Sequence, residues 1–182
     1  MKKLNLGCGS YSKQGYVNLD ATNLPGVDVV HDLNQYPYPF DDDEFEEVFC
    51  YHVLEHLDDI VRPLEEIWRI TRNGARIIIE VPSFPGIGAV VDPTHKSFYT
   101  FGTFDYFTED TLFPYYSKAK YEIAQRKIVF YCSLPPFKWL SGIMTRLVNS
   151  HIKLQKAYFY NLSYLFPASH LCVELVTVKS KG

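Results

Sequence analysis

Carboxylates, glycines and imidazoles stand in this 182-residue chain where a nucleotide site needs them. Leu4-Asn5-Leu6 runs into Gly7-Cys8-Gly9, and Tyr16-Val17-Asn18-Leu19 closes on Asp20. A glycine pair after a first strand lets backbone approach a bulky ligand, and an acid ending the second strand binds a ribose diol. A second acid, Asp32, ends the run Val27-Asp28-Val29-Val30-His31, and His95 supplies an imidazole for proton transfer, while Glu55 and His56 orient the turn after His52. The dinucleotide fingerprint wants three glycines and an acid about twenty residues on. Here the third glycine is missing and Asp20 arrives early, so a nucleotide-dependent oxidoreductase is the alternative and not the first reading.

Strands must position these groups. Residues 45–52 read as a fourth strand, 59–71 as a helix, Asn73-Gly74 as a turn and 76–82 as a fifth, β-branched strand. Beyond it come a loop over 82–96, a short helical stretch near 102–113, a strand over 121–132, one or two helices within 136–164 and a last strand near 170–178. Ligands of open α/β sheets bind past the carboxyl ends of the strands. The cluster Asp92-Pro93-Thr94-His95-Lys96 after the fifth strand therefore faces the site, with His95 the general-base candidate and Asp92 its partner. The alternative is that Asp92 and Thr94 cap a turn and His95 only pairs with Asp92. Phe98, Tyr99, Phe101, Phe104, Tyr106 and Phe107 either wall an acceptor pocket or fill core.

The ordered motifs LNLGCG, NLD, HDLN, HVLEHL and the run ending in Val81-Pro82 resemble the class I S-adenosylmethionine-dependent methyltransferases over residues 3–82. The resemblance implies an α/β, Rossmann-like three-layer sandwich: a mostly parallel seven-stranded sheet with an antiparallel last strand and a helical insertion before it. The ten residues between Gly9 and Asp20 allow only a short first helix. Also implied are S-adenosyl-L-methionine as cofactor, and Gly7, Cys8 and Gly9 against its methionine and ribose. Asp20 would lie on the ribose hydroxyls, Asp32 and Leu33 at the adenine, and Tyr51 and His52 along the cleft. The chain departs from the wider family at Asn5, where an acid is common, and at Tyr11, where a third glycine often sits.

Composition suits one domain over 1–182, with substrate loops at 82–120 and a helical insertion or lid at 135–166: 47% of residues are hydrophobic and 21% charged. With no apolar span or leader-like segment, a cytoplasmic protein is expected. Residues 1–110 carry 8 basic and 19 acidic side chains, and the remainder 10 and 2. The basic third also holds Trp139, Leu140, Ile143, Met144, Leu147 and Val148 at helical spacing, which suits core, a homodimer seam, an anionic small-molecule acceptor or a peripheral membrane contact. Nucleic acid is not expected as a partner, because the front is acidic and no recognition motif is present. Cys8, Cys50, Cys132 and Cys172 are too scattered for a zinc site or disulfide frame, and the last three sit in apparent strands. The acidic run 41–47 lacks the ligand alternation of a calcium loop and reads as a solvated turn. His52-Val53-Leu54-Glu55-His56 spells an inverted zinc-protease motif, but its first histidine ends a strand where that chemistry needs one helical face, so no metal is expected.

Overall fold

The computed structural model describes residues 2–132 and 137–179. Seven strands, β1 (Lys2–Leu6), β2 (Val17–Asp20), β3 (Val29–Val30), β4 (Phe45–Tyr51), β5 (Thr71–Pro82), β6 (Lys120–Val129) and β7 (His170–Val178), form one sheet in the order β3-β2-β1-β4-β5-β7-β6. β7 alone runs antiparallel, against both β5 and β6. Helix α1 (Val61–Ile70) joins β4 to β5, while α2 (Phe137–Val148) and α3 (Ile152–Asn161) form the insertion between β6 and β7. Pro135 and Pro136, where the expected insertion begins, lie outside the described residues.

Alternation writes the core. Leu4 and Leu6, Val48 and Cys50, Ile77, Ile79 and Val81, and Leu171, Val173 and Leu175 are all buried and lie on successive strands. Leu64, Ile67 and Ile70 of α1, at helical spacing, join the same core. Each such side chain contributes roughly 1.5–3 kcal/mol by leaving water. Tyr99, Phe101, Phe104 and Phe107 are buried too, so those rings fill core, whereas Phe98 and Tyr106 remain exposed.

The first crossover differs from expectation: residues 7–16 form turns with no helix. Two buried asparagines replace the helical bonds. Asn5 Nδ2 donates to the Tyr11 carbonyl and to Asn18 Oδ1, both at 2.9 Å, and Lys13 N donates to Asn18 Oδ1 at 2.7 Å. Asparagine amides offering the backbone such partners compete with helix. The departure at Asn5 and the missing helix therefore share a cause. β3 shrinks to two residues, preceded by the Gly26 turn and by Asp28, whose carboxylate accepts from Asn18 N at 2.8 Å.

Three smaller differences follow from side chains. The Asn73-Gly74 turn is absorbed as a bulge in β5, where the register moves from Phe45↔Thr71 to Glu47↔Arg76 and Gly74 takes φ 78°. Cys132 lies beyond the end of β6, not within it. The acidic run is paired and not merely solvated: Asp42 meets Arg69, Asp43 meets Lys179, Glu44 meets Lys2, Glu46 meets Arg72, and Glu47 meets Lys3 and Arg76.

Candidate functional site

A cavity of about 360 Å³ opens at the carboxyl ends of β1, β2 and β4, lined by Gly7, Gly9, Asp20, Asp32, Leu33, His52, Val53 and His56 among others. Six of the side chains and glycines singled out from sequence thus meet in one place. Gly7 sits at φ 64°, and a Cβ there would lie 2.1 Å from Val53 Cγ2, so only bare backbone fits the first turn. Gly9 N donates to Asp20 Oδ2 at 2.7 Å and Thr22 N to Asp20 Oδ1 at 2.9 Å. The carboxylate is fixed from both sides, and an ionised carboxylate has about four acceptor positions, leaving room for a diol. Asp32 Oδ1 likewise accepts from Asn34 N at 2.9 Å. Two carboxylates, a close-approach glycine turn and the apolar Leu33 suit the sugar and base of S-adenosylmethionine.

His52 closes β4 in the left-handed region, at φ 51°. Its Nδ1 lies 2.9 Å from Glu55 Oε1 and its Nε2 3.7 Å from Glu80 Oε1. Hydrogen bonding to Glu55 first, and to Glu80 next, pushes the imidazole up to about 9, so His52 is a cation at neutral pH. The same contact holds the Glu80 carboxyl below its ordinary value, while burial lowers His170, whose ring stands edge-on to His52 at 5.2 Å.

The other predicted residues fall elsewhere. Cys8 is buried behind the turn, its N donating to the Leu19 carbonyl at 2.9 Å, and it does not line the cavity. Tyr51 is 45% exposed on the outer rim, stacked on Phe49 with ring centroids 6.0 Å apart. His95 and Asp92 lie outside the lining residues. Thr94 N and Thr94 Oγ1 donate to Asp92 Oδ1 at 2.8 and 2.7 Å, the capping arrangement weighed from sequence, and these bonds lower the Asp92 carboxyl. His95 Nε2 is 3.9 Å from Asp92 Oδ2, too far for a hydrogen bond, and His95 Nδ1 is 3.1 Å from the Ala89 carbonyl. His56, which sequence reading gave only a turn-orienting role, lines the cavity, with its Nδ1 2.9 Å from Thr94 Oγ1. Its signal in the sequence was its place four residues past His52 in HVLEH.

A larger groove of about 1340 Å³ shares no lining residue with this cavity. It runs between residues 98–113, the inner part of β6 and α3, with Tyr106, Tyr116, Phe159 and Tyr160 among its walls. We place the cofactor in the smaller cavity, since the glycine turn and both strand-end carboxylates are there. The insertion lines the groove and not the cofactor cavity. On α2, Trp139 is 63% exposed, with Ile143 and Leu147 beside it on the surface. No helix among the described residues is long and apolar enough to cross a membrane.

Sheet order, one antiparallel strand and the strand-end cavity define an α/β, Rossmann-like domain with a pocket at the carboxyl ends of its parallel strands. Residues 12–79 match the family described as Methyltransferase domain. A SAM-dependent methyltransferase from Archaeoglobus fulgidus superposes with a TM-score of 0.57 at 19% identity, over 96% of this chain and 85% of that one. A complex containing the Haloferax volcanii Trm112 methyltransferase activator gives 0.58 at 16% identity, over 98% and 83%. The 4+2 cyclase SpnF gives 0.57 at 12% identity, over 97% and 74%, so the fold by itself does not dictate the reaction. No curated protein matches the chain.

Proposed function

We propose that this protein transfers a methyl group from S-adenosylmethionine to an oxygen or nitrogen of a small molecule or of a glycan or lipid precursor. The observation that carries the reading is the meeting of Gly7, Gly9, Asp20, Asp32, Leu33 and His52 in one cavity, with Asp20 fixed by the Gly9 amide at 2.7 Å. In it Asp20 holds the ribose, Asp32 and Leu33 the adenine, and the cationic His52 the carboxylate of the methionine part. The cofactor supplies a sulfonium methyl that is already activated. What the chain adds is in-line placement of the acceptor and exclusion of water, which can supply roughly 7–11 kcal/mol.

The acceptor side falls to the loop that carries Asp92 and His95, where it meets His56. An acceptor hydroxyl needs help in losing its proton, worth about 100- to 10,000-fold, whereas a neutral amine needs none. Asp92 acts there through Thr94 on His56.

Calorimetric titration with S-adenosylmethionine, S-adenosylhomocysteine and NAD in parallel tests the reading. Binding of both adenosyl-sulfur ligands without NAD is expected; binding of NAD alone overturns it. His95→Ala should leave S-adenosylhomocysteine affinity intact and lower turnover on a hydroxyl acceptor, and undiminished turnover there removes His95 from the reaction.

A further inference from the structure

Beside the cofactor cavity, Glu55, His56 and His95 each bring a ligand atom within 4.8 Å of the other two. Glu55 is 1% exposed; its Oε1 takes the His52 Nδ1 contact, while Oε2 is buried without any hydrogen-bond partner. A carboxylate oxygen stripped of water and given no donor is costly, so its retention calls for a positive partner.

The two imidazoles that flank it can be assigned a tautomer from their bonds. The Thr94 hydroxyl has one hydrogen and gives it to Asp92 Oδ1 at 2.7 Å, so toward His56 Nδ1, 2.9 Å away, it can only accept. His95 Nδ1 faces a backbone carbonyl, that of Ala89, which also can only accept. Both rings therefore carry their proton on Nδ1, and in the neutral ring Nε2 is a bare lone pair. The rings stand 4.8 Å apart at 69°.

We propose that Glu55, His56 and His95 hold a divalent transition-metal ion of the zinc class at the wall of the cofactor cavity. Two imidazoles and one carboxylate form the donor set of sites that keep a coordination position open. The outer shell is also built. Asp92 through Thr94 orients His56, and the Ala89 carbonyl orients His95, the arrangement that fixes tautomer and ring angle in metal sites. The loop is stapled in place: Lys96 N and Ser97 N both donate to the Glu55 carbonyl, at 2.7 and 3.2 Å, which sets His95 against His56.

His52, Glu80 and His170 make a second cluster of similar span, yet its members satisfy one another. There His52 sits between two carboxylates, and Cys172 Sγ donates to Glu80 Oε2 at 3.4 Å. No orphaned oxygen calls for an ion in that cluster.

Because His56 lines the cavity, an ion held by it adjoins the acceptor side. Its role rests on the methyltransferase reading: an acceptor oxygen at the open position is favoured in its ionised form. The site itself does not depend on that reading.

Titration of the purified protein with Co(II) alone, followed by the visible ligand-field band and by equilibrium dialysis, tests the proposal. One ion per chain is expected. His56→Gln and His95→Gln should each weaken binding by more than about tenfold, and Thr94→Val by roughly tenfold through the outer shell. His170→Ala should leave it unchanged, with circular dichroism confirming that each variant folds. Absence of Co(II) binding by the native protein, binding insensitive to both histidine variants, or loss in His170→Ala alone would each overturn it. S-adenosylhomocysteine titration of the same native sample separates the two readings, since either ligand can bind when the other fails.

Discussion

The cofactor cavity and the aromatic groove are assembled by different means. The first takes its shape from backbone: two glycines at positive φ and a carboxylate gripped by the Gly9 and Thr22 amides, all within residues 7–22. The second takes its shape from rings drawn from three distant segments, with Tyr116 and Tyr160 largely exposed. A backbone-built site tolerates almost no change in the side chains that form it, whereas a ring-lined surface can trade one aromatic for another. The difference favours the cavity over the larger groove for the proposed cofactor, a single ligand held in one orientation.

Substitution of glycine breaks the comparison most sharply. Gly7→Ala puts a methyl into Val53 and a side chain into the left-handed region, and should cost about 2–4 kcal/mol and abolish S-adenosylhomocysteine binding, measured by denaturant unfolding and calorimetry. Gly102→Ala at the groove meets only Asp105 Oδ2 at 3.7 Å and should shift stability by about 0.5 kcal/mol or less. Next in size, Asp20→Asn should lower S-adenosylhomocysteine affinity roughly 10- to 100-fold while leaving the fold intact, because charge-assisted hydrogen bonds are worth about 1.5–3 kcal/mol. A smaller effect comes from the ion pairs behind the sheet. A hydrogen bond from Tyr16, with help from Lys3, holds the Glu47 carboxyl below its ordinary 4.5. A depressed carboxyl stabilises above its unfolded pKa and loses that contribution as pH falls. Glu47→Gln should therefore cost roughly 1 kcal/mol at pH 7 and nearly nothing in acid, read from thermal melts across pH. Smallest of all, Tyr106→Ser with Tyr160→Ser in the groove should change cofactor affinity less than about twofold, and a larger change would join the two cavities that the structure keeps apart.

The same contrast explains what the sequence made legible. The positions of most strands and the glycine turn with Asp20 and Asp32 at strand ends were readable from local chemistry, namely alternation, a glycine pair and a carboxylate closing a strand; the seven-stranded sheet with its antiparallel last strand came from the resemblance of the ordered motifs. The absent first helix was not readable as such, since it depends on Asn5 and Asn18 meeting across two strands. The grouping of the histidines was hidden for a related reason. HVLEH suggests His52 and His56 as a pair, but the three-residue turn at Leu54–His56 sends His52 toward Glu80 and His170 and His56 toward His95. Only the stapling of residues 96 and 97 to Glu55 brings that last partner in, across some forty positions of chain.

Position 7 and position 53 also constrain how this sequence can drift. The valine methyl occupies the space that any side chain at position 7 would need, and the backbone there resists every residue but glycine. Neither position has a free first step: a larger residue at 7 collides before 53 can shrink, and a smaller one at 53 loosens the wall of the cavity before 7 gains from it. Descendants of this chain should vary widely along the groove and α2 while carrying these two residues forward as one inherited unit.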